Sequence, residues 1–197
     1  MARNPEVTKR RIFDAAVAEF ARHGIAGARI DRIARAARAN KQLIYAYFGN
    51  KQELFERVLA EEVFRFHQEV HFDAERLPDF AGEAYDFFTA HPDVVRLGEW
   101  HSLDPPDGSR RLPAIEEAIG DHVRAIRAAQ EAGCVNGEIA ADELLALIVS
   151  ISRTWAAGTP EFRLSPEQER RRRLRRRRAV VEVTSRLVEP RRKVSVS

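Results

Sequence analysis

The sequence predicts an all-α protein, with a small N-terminal helix-turn-helix domain of three helices and a larger domain of about six helices. Apolar residues recur at helical spacing along most of the 197 residues, and no stretch alternates as a half-buried strand does. Capping residues, glycines and prolines separate these periodic segments. With 44% hydrophobic residues, the chain is long enough to bury a core.

The clearest element is a pair of short helices within residues 30–48. Apolar spacing predicts a helix over Ile30–Ala37, and Asn40 is a good N-cap for a second helix over Lys41–Phe48. Only Arg38 and Ala39 remain for the turn between them. This is the spacing of a helix-turn-helix.

The second helix of this motif has two different sides. Lys41, Gln42 and Tyr45 fall on one side, whereas Ile44 and Phe48 fall on the other. A short helix that presents a cation, an amide and a phenol can enter the major groove of DNA. Its apolar side would hold it against the rest of a small helical domain.

The remaining helices are bounded by caps, glycines and prolines. Asn50 and Glu53 have the form of a capping box at the start of a long helix. The predicted spans are residues 8–23, 50–71, 78–90, 92–103, 113–132, 141–157 and 167–188, with a loop over 104–112. We expect a first domain over 1–50, a second over 51–190 and a disordered tail over 191–197.

The net charge of +3 hides a strong division along the chain. Residues 1–51 carry 11 Lys and Arg against 4 Asp and Glu, residues 52–165 carry 10 against 22, and residues 166–197 carry 12 against 4. A basic stretch attracts nucleic acid and an acidic one repels it. Composition therefore places DNA contacts in the first 51 residues, with the C-terminal stretch as a second candidate.

Eight arginines lie in the run ERRRRLRRRR over residues 169–178. This run could be a second nucleic-acid patch, a patch for a membrane surface, or a solvated helix start. We favour the solvated helix start, because basic composition alone is weak evidence. Some of the arginines are expected to pair with acids from the middle of the chain.

Several other classes of protein find no support in the sequence. The single Cys134 excludes an intrachain disulfide, and no apolar stretch of a signal peptide or membrane span is evident, so we expect a cytoplasmic protein. His67 and His71 could share a metal ion, but HQEVH is not the zinc-hydrolase motif and no third ligand is evident. We expect no metal, no cofactor and an inert Cys134.

The N-terminal pattern resembles the TetR family of bacterial one-component transcriptional repressors. The matching residues are Ile12, Asp14, Ala15, Ala16, Gly24, Ile25, Ile33, Ala34, Ala37, Ile44, Tyr45, Tyr47, Phe48, Lys51 and Leu54. Arg38 replaces the turn glycine of the family, at a cost on the order of 1 kcal/mol if the backbone there is left-handed. Ala28 replaces the usual Ser or Thr cap, and Gln42–Leu43 replaces a common Gly-Thr pair.

The resemblance implies a set of DNA contacts. Tyr45, Tyr47 and Lys51 would contact phosphates, Lys41 and Gln42 would reach base edges, and Leu43 would pack on a thymine methyl group. We favour two arginines at the ends of the first motif helix as further phosphate partners. The predicted set is Arg29, Arg38, Asn40, Lys41, Gln42, Leu43, Tyr45, Tyr47 and Lys51. The alternatives are core packing for the two tyrosines and a solvated charge for Lys41.

The resemblance also implies a homodimer on a palindromic operator and a small-molecule inducer. The last two helices would form a four-helix bundle across a two-fold axis, through Leu144, Leu147, Ile148, Ile151, Val180, Val183 and Leu187, although intradomain core is an alternative for these residues. The expected ligand is a hydrophobic or aromatic molecule bound by Phe66, Phe88, Trp100, His101, Ser152 and Trp155. Its binding would move the helix over 50–71 and spread the two DNA-binding domains.

Two other functions compete with a ligand-responsive repressor. One is a constitutive DNA-binding protein without an inducer. The other is an enzyme built on a helical bundle, but no nucleophile–base spacing, glycine-rich phosphate loop or carboxylate pair supports it. The sequence therefore predicts a DNA-binding transcriptional regulator that is not an enzyme.

Overall fold

The computed structural model describes residues 5–103, 112–156 and 165–190. All regular secondary structure in these ranges is helical, which confirms the all-α prediction. The nine helices of the described ranges are α1 (Pro5–Gly27), α2 (Ile30–Ala37), α3 (Lys41–Phe48), α4 (Lys51–Glu69), α5 (Leu77–Ala90), α6 (Pro92–Leu103), α7 (Pro113–Glu131), α8 (Ala141–Arg153) and α9 (Pro166–Val188). The predicted tail over 191–197 and most of the predicted loop over 104–112 lie outside the described residues.

Local capping signals set the starts of α3 and α4 as predicted. The Asn40 side chain accepts a hydrogen bond from the Leu43 N–H at 2.8 Å, which satisfies one of the unpaired donors of the first turn of α3. At the start of α4, the Asn50 N–H donates to Glu53 Oε2 at 2.9 Å, and Asn50 Oδ1 accepts from the Glu53 N–H at 3.0 Å. This reciprocal pair is the predicted capping box.

Helix α1 differs from the prediction, because it resumes after Gly24 and continues to Gly27. Gly24 interrupts it with a positive φ of 63°. A Cβ atom at this position would lie 2.7 Å from Cε3 of Trp100 on α6. Glycine suits both constraints, since it tolerates positive φ and lets the indole ring approach the backbone.

Packing divides the chain into two compact units. The first comprises residues 1–65 and 91–112, and the second comprises residues 66–90 and 113–197. This division falls inside α4, and it assigns α6 to the unit of the helix-turn-helix. It therefore differs from the predicted boundary at residue 50. That boundary separates the residues expected to bind DNA from the rest of the chain, and it stays a prediction.

The first unit is built around α1, which packs against α2 and α6. The Phe20 and Phe55 rings meet edge to face with centroids 5.2 Å apart, and Trp100 Nε1 donates to the Ala21 carbonyl oxygen at 3.3 Å. Burial of each large apolar side chain contributes about 1.5–3 kcal/mol. The fully or almost fully buried side chains of the first unit include Ile12, Phe13, Ala16, Phe20, Ile33, Ile44, Leu54, Phe55, Val58 and Leu97.

The second unit is built around α5, which packs against α8 and α9, while α7 packs against α8. The Ser152 hydroxyl donates within α8 to the Ile148 carbonyl oxygen at 2.8 Å and across to the Ala81 carbonyl oxygen at 3.1 Å. The most buried side chains include Leu77, Phe80, Ala81, Ala84, Tyr85, Ile126, Leu144, Ile148 and Val180.

Candidate nucleic-acid interface

The predicted helix-turn-helix forms, and its turn is made without glycine. Arg38 adopts the left-handed conformation, with φ 50° and ψ 43°. Its N–H donates to the Arg35 carbonyl oxygen at 3.2 Å, and the Ala39 N–H donates to the Ala34 carbonyl oxygen at 2.9 Å. These two hydrogen bonds are those of a Schellman motif, which usually has glycine at the left-handed position. The family's turn is therefore kept despite the unfavourable residue.

Arg11 supports this turn from α1. Its guanidinium donates to the carbonyl oxygens of Ala37 and Arg38, the second at 3.1 Å. The last carbonyl groups of a helix have no partner within it, and a cation at this end is favoured by the helix dipole. Sequence reasoning missed Arg11 as a positioning residue. The only signal for it was its place at the start of the predicted helix over residues 8–23, where a helix dipole disfavours a cation.

Glu19 holds the start of α2, which lacks a capping side chain of its own as predicted. Its Oε1 accepts hydrogen bonds from the Arg29 N–H at 2.9 Å and from Arg32 Nε at 2.7 Å. Burial alone raises the pKa of the Glu19 carboxyl, but these hydrogen bonds and the nearby positive charge of Arg32 together outweigh it, and the pKa is lowered overall. Arg32 is therefore a structural cation that ties α2 to α1.

The predicted reading side of α3 is open to solvent. Lys41, Gln42 and Tyr45 are exposed, whereas Ile44 on the opposite side is fully buried. Tyr45 is 50% exposed, so it is not a core residue. Lys41 pairs with Asp31 of α2, and the hydrogen bond that its ammonium donates to this carboxylate raises the pKa of Lys41. An exposed pair of this kind contributes little to stability, so Lys41 can exchange Asp31 for another partner at small cost.

Leu43 and Tyr47 are partly buried at the edge of this side. The Lys9 ammonium lies 5.4 Å from the centroid of the Tyr47 ring, in a cation–π contact. The Phe48 ring meets the Tyr47 ring edge to face at 6.3 Å. The Tyr47 ring is thus held by α1 and α3 together.

Lys51 lies in the first turn of α4, where the helix dipole disfavours a cation. Its Nζ donates to the Ala28 carbonyl oxygen at 3.3 Å, which directs the side chain toward the start of α2. Three arginines of the motif, Arg29, Arg35 and Arg38, are exposed and have no ion pair with any described residue. These cations leave the motif with unneutralised positive charge at its surface.

The predicted ligand residues fall into separate groups. Trp100 and His101 belong to the first unit, where the His101 ring stacks on Phe55 at 6.3 Å. The other four belong to the second unit. There, the Phe66 and Phe88 rings stack at 5.2 Å, and Trp155 meets the Tyr85 ring at 6.0 Å and the Arg176 guanidinium at 5.1 Å. Their role in ligand binding stays a prediction.

The predicted dimer residues also divide into two groups. Leu144, Ile148 and Val180 are fully buried within the chain. Leu147 and Val183 are each 44% exposed, and Ile151 and Leu187 are intermediate. Part of the stripe is therefore intradomain core, and the role of the exposed part in a dimer stays a prediction.

The arginine run at the start of α9 is partly neutralised by acids, as predicted. Arg173 and Arg177 both pair with Asp86 of the acidic middle stretch, at 3.0 and 2.6 Å. Arg176 pairs with Glu169 and is almost completely buried. Arg170, Arg172, Arg175 and Arg178 have no ion pair with a described residue and are exposed.

The other features singled out in the sequence have simple surroundings. The His67 ring lies 5.2 Å from that of His122, and the described residues contain no group of three side chains that could hold a metal ion. His71 and Cys134 are exposed. None of the described helices is both long and apolar enough to cross a membrane.

Two family models match this chain. Residues 12–58 match the model described as bacterial regulatory proteins, tetR family, and residues 76–186 match the model described as tetracyclin repressor-like, C-terminal domain. The first match contains α2, α3 and the positions of the predicted DNA contacts. The second contains α5, α6, α7 and α8, and all of α9 except its last two residues.

Named relatives and solved structures agree with these matches. The chain is 46% identical over 165 residues to the HTH-type transcriptional repressor SCO4008 of Streptomyces coelicolor, covering 82% of this chain and 84% of that one. It is 29% identical over 143 residues to the HTH-type transcriptional repressor NicS of Pseudomonas putida, covering 69% and 68%. The crystal structure of SCO4942 from Streptomyces coelicolor superposes with a TM-score of 0.77 at 34% identity, covering 93% of this chain and 99% of that one.

Proposed function

Because the chain belongs to the TetR family and is a transcriptional repressor rather than an enzyme, we propose that it binds a palindromic operator as a homodimer and that a small hydrophobic or aromatic ligand releases it. The observation that carries this proposal is the exposed side of α3, with Lys41, Gln42 and Tyr45 held outward by buried Ile44. A helix so placed offers groups for the major groove, and its surroundings carry positive charge for the phosphates.

In the proposed complex, Lys41 and Gln42 read base edges and Leu43 packs on a thymine methyl group. The ion pair between Lys41 and Asp31 breaks and Lys41 binds guanine instead. Breaking the pair costs little free energy, because both side chains are exposed. The phosphate contacts come from the residues around this helix, namely Arg29, Arg38, Tyr45, Tyr47 and Lys51. Asn40 fixes the N-terminus of α3 and thereby the direction in which these side chains leave the helix.

A homodimer is proposed because one motif reads too few base pairs to define an operator. The exposed apolar residues Leu147 on α8 and Val183 on α9 offer the surface for this contact. Helices α8 and α9 of one copy would pack on those of the other in a four-helix bundle.

The ligand response is proposed to run through α4. This helix begins at the capping box beside the DNA-binding motif and contributes Phe66 to the aromatic side chains of the second unit. A ligand bound among those rings that favours another position of α4 would shift the two motifs away from successive major grooves. A constitutive DNA-binding protein differs from this proposal only in lacking the ligand response.

DNase I footprinting of the wild-type protein on the DNA upstream of its own gene tests the proposal. We expect one protected palindrome, and we expect one of a panel of small aromatic compounds to remove the protection. Lack of protection even at low salt contradicts operator binding. Protection that every compound leaves unchanged favours the constitutive alternative.

A further inference from the structure

Asp31 is the one acidic residue of the helix-turn-helix. Residues 28–49 contain five Lys and Arg and a single carboxylate, that of Asp31. It lies in the first turn of α2, where the helix dipole favours a negative charge. A carboxylate close to DNA also repels the phosphate groups. Its effect on DNA binding therefore depends on which group its oxygens contact in the complex.

The side chain of Asp31 lies beside the reading side of α3. It forms an ion pair with the ammonium of Lys41, the first residue of α3, and the two side chains are each 57% exposed. The carboxylate contacts no other charged or hydrogen-bonding group of the described residues. A base pair that approaches Lys41 along the exposed side of α3 therefore meets the carboxylate of Asp31 as well.

The two paired groups have opposite hydrogen-bonding requirements. The ammonium of Lys41 only donates hydrogen bonds, whereas the carboxylate of Asp31 only accepts them. In the proposed complex Lys41 leaves Asp31 and binds guanine, so the carboxylate loses its partner at the surface that DNA covers. An acceptor that loses its partner in this way costs free energy, unless a donor of the DNA replaces the ammonium.

Two bases offer such a donor in the major groove. Cytosine presents its N4 amino group, and adenine presents its N6 amino group beside the acceptor N7. A carboxylate on adenine would lie close to that second acceptor, which repels it. Cytosine has no such acceptor in the major groove, and it is the partner of the guanine that Lys41 binds. One G·C base pair thus presents acceptors for the ammonium on one base and a donor for the carboxylate on the other.

We propose that Asp31 is a specificity-determining residue of the DNA interface and that it reads the cytosine paired with the guanine bound by Lys41. The carboxylate accepts a hydrogen bond from the cytosine N4 amino group. At an A·T base pair the same carboxylate faces the O4 acceptor of thymine and repels it. Asp31 therefore weakens binding to wrong sequences more than to the right one. This inference rests on the proposed function, because it requires α3 to lie in the major groove.

Fluorescence anisotropy with modified duplexes tests this contact at the level of single atoms. Each cytosine of one half-site in the protected upstream duplex is replaced in turn by N4-methylcytosine. This base still pairs with guanine, but it lacks the N–H that points into the major groove. We expect one position at which the wild type binds about five-fold more weakly, as the loss of one net hydrogen bond provides. Asp31→Ala should bind the methylated and unmethylated duplexes equally at that position.

The identity of the base pair tests the link between Asp31 and Lys41. Each base pair of the same half-site is exchanged between G·C and A·T, and the affinities of the wild type, Lys41→Ala and Asp31→Ala are compared. We expect both variants to lose the preference for G·C at the base pair that contains the cytosine found by methylation. Asp31→Ala should also bind an unrelated duplex several-fold more tightly than the wild type, because one negative charge near the phosphates is removed.

Asp79→Ala is the matched control. Asp79 is an exposed aspartate in the first turn of α5, it pairs with Arg76, and it belongs to the second unit. Its removal should leave the affinity for every duplex unchanged, although it takes away the same charge from a helix start. Circular dichroism melts show whether Asp31→Ala folds, and Asp31→Ser replaces it if it does not.

The outcomes separate this inference from the proposed function. The inference is overturned if no methylated cytosine weakens the wild type, or if Asp31→Ala is weakened as much as the wild type. It is also overturned if Lys41→Ala and Asp31→Ala lose their preference at different base pairs, if Asp31→Ala gains no affinity for the unrelated duplex, or if Asp79→Ala has the same effects. In all of these cases, binding of the wild type to the protected duplex still supports the proposed function. A wild type that binds no duplex contradicts the proposed function and overturns this inference with it.

Discussion

The guanidinium of Arg11 on α1 donates a hydrogen bond to the carbonyl oxygen of Arg38, the residue that turns the chain between α2 and α3. Arg38 has the left-handed backbone conformation that glycine usually supplies at this point. A cation from a neighbouring helix thus stabilises the strained turn that sets the angle of α3.

Arg11→Ala should lower the free energy of unfolding by about 1–2 kcal/mol, because it removes hydrogen bonds from a charged donor to two helix-terminal carbonyl groups. Exposure to solvent reduces the contribution of these hydrogen bonds to stability. Urea unfolding followed by circular dichroism measures this. Arg22→Ala is the matched control, since Arg22 is an exposed arginine of the same helix with no ion pair to a described residue. Equal effects of the two substitutions would show that Arg11 contributes only charge.

Gly24→Ala should destabilise the first unit by about 1–3 kcal/mol, the cost typical of a residue forced into an unfavourable backbone region. The new methyl group would also meet the Trp100 ring. Gly98→Ala on α6 is the control, because nothing lies within 4 Å of its Cβ position and alanine favours a helix. Urea midpoints should move down for the first variant and stay or rise for the second. A harmless Gly24→Ala would contradict the close contact between α1 and α6.

The stability of the protein should fall as the pH drops from 6.5 to about 4, in part through His122. The pKa of this side chain is lowered from 6.5 to about 4 in the folded chain, chiefly by burial, so the unfolded chain binds more protons within that window. The contribution of neutral His122 is therefore full above pH 6.5 and is lost as the pH falls toward 4. His122→Phe should lose less stability over the same range, as measured by urea unfolding at a series of pH values. Parallel pH profiles for the two proteins would contradict this assignment.

Val183→Glu should convert the proposed homodimer to a monomer, because it places a charge in the exposed apolar surface of α8 and α9. Leu174→Glu is the control. Leu174 is more exposed, at 69% against 44%, and it lies on the opposite side of α9, nine residues away. Size-exclusion chromatography with light scattering gives the molar mass of each. If both variants stay dimeric, or both become monomeric, the surface around Val183 is not the specific contact.

Features that depend on neighbouring residues could be predicted from the sequence. The capping side chains of Asn40 and Asn50 act on amides two or three residues away, and the structure has the hydrogen bonds they imply. The bounds of α6, with proline at its start, match the prediction. The spacing of the two motif helices also places the turn at Arg38 and Ala39, whereas the left-handed backbone of Arg38 was only a condition raised by the resemblance to a family with glycine there.

The particular partners of residues that lie far apart in the sequence could not be predicted. Arg11 and Arg38 are 27 residues apart, and Glu19 reaches Arg32 across 13 residues. Trp100 was expected among the ligand residues of the second domain, but its ring packs on Gly24 in the first unit, 76 positions earlier in the sequence. Helical periodicity identifies which face of a helix is buried, but it carries no information about which partner covers that face.

The central claim, that the exposed side of α3 reads DNA and the cations around it bind phosphates, is tested most directly by fluorescence anisotropy. We titrate four proteins against the protected upstream duplex and against an unrelated duplex of equal length, at several salt concentrations. They are the wild type, Gln42→Ala, Lys51→Ala and the control Arg57→Ala, which removes an exposed cation of α4.

We expect Gln42→Ala to weaken binding to the protected duplex alone, by about 1–3 kcal/mol, because the amide reads a base. Lys51→Ala should weaken binding to both duplexes and reduce the salt slope by about 1, as the loss of one phosphate contact does. Arg57→Ala should leave both affinities unchanged. If Gln42→Ala and Lys51→Ala both bind the two duplexes as tightly as the wild type does, the claim is contradicted.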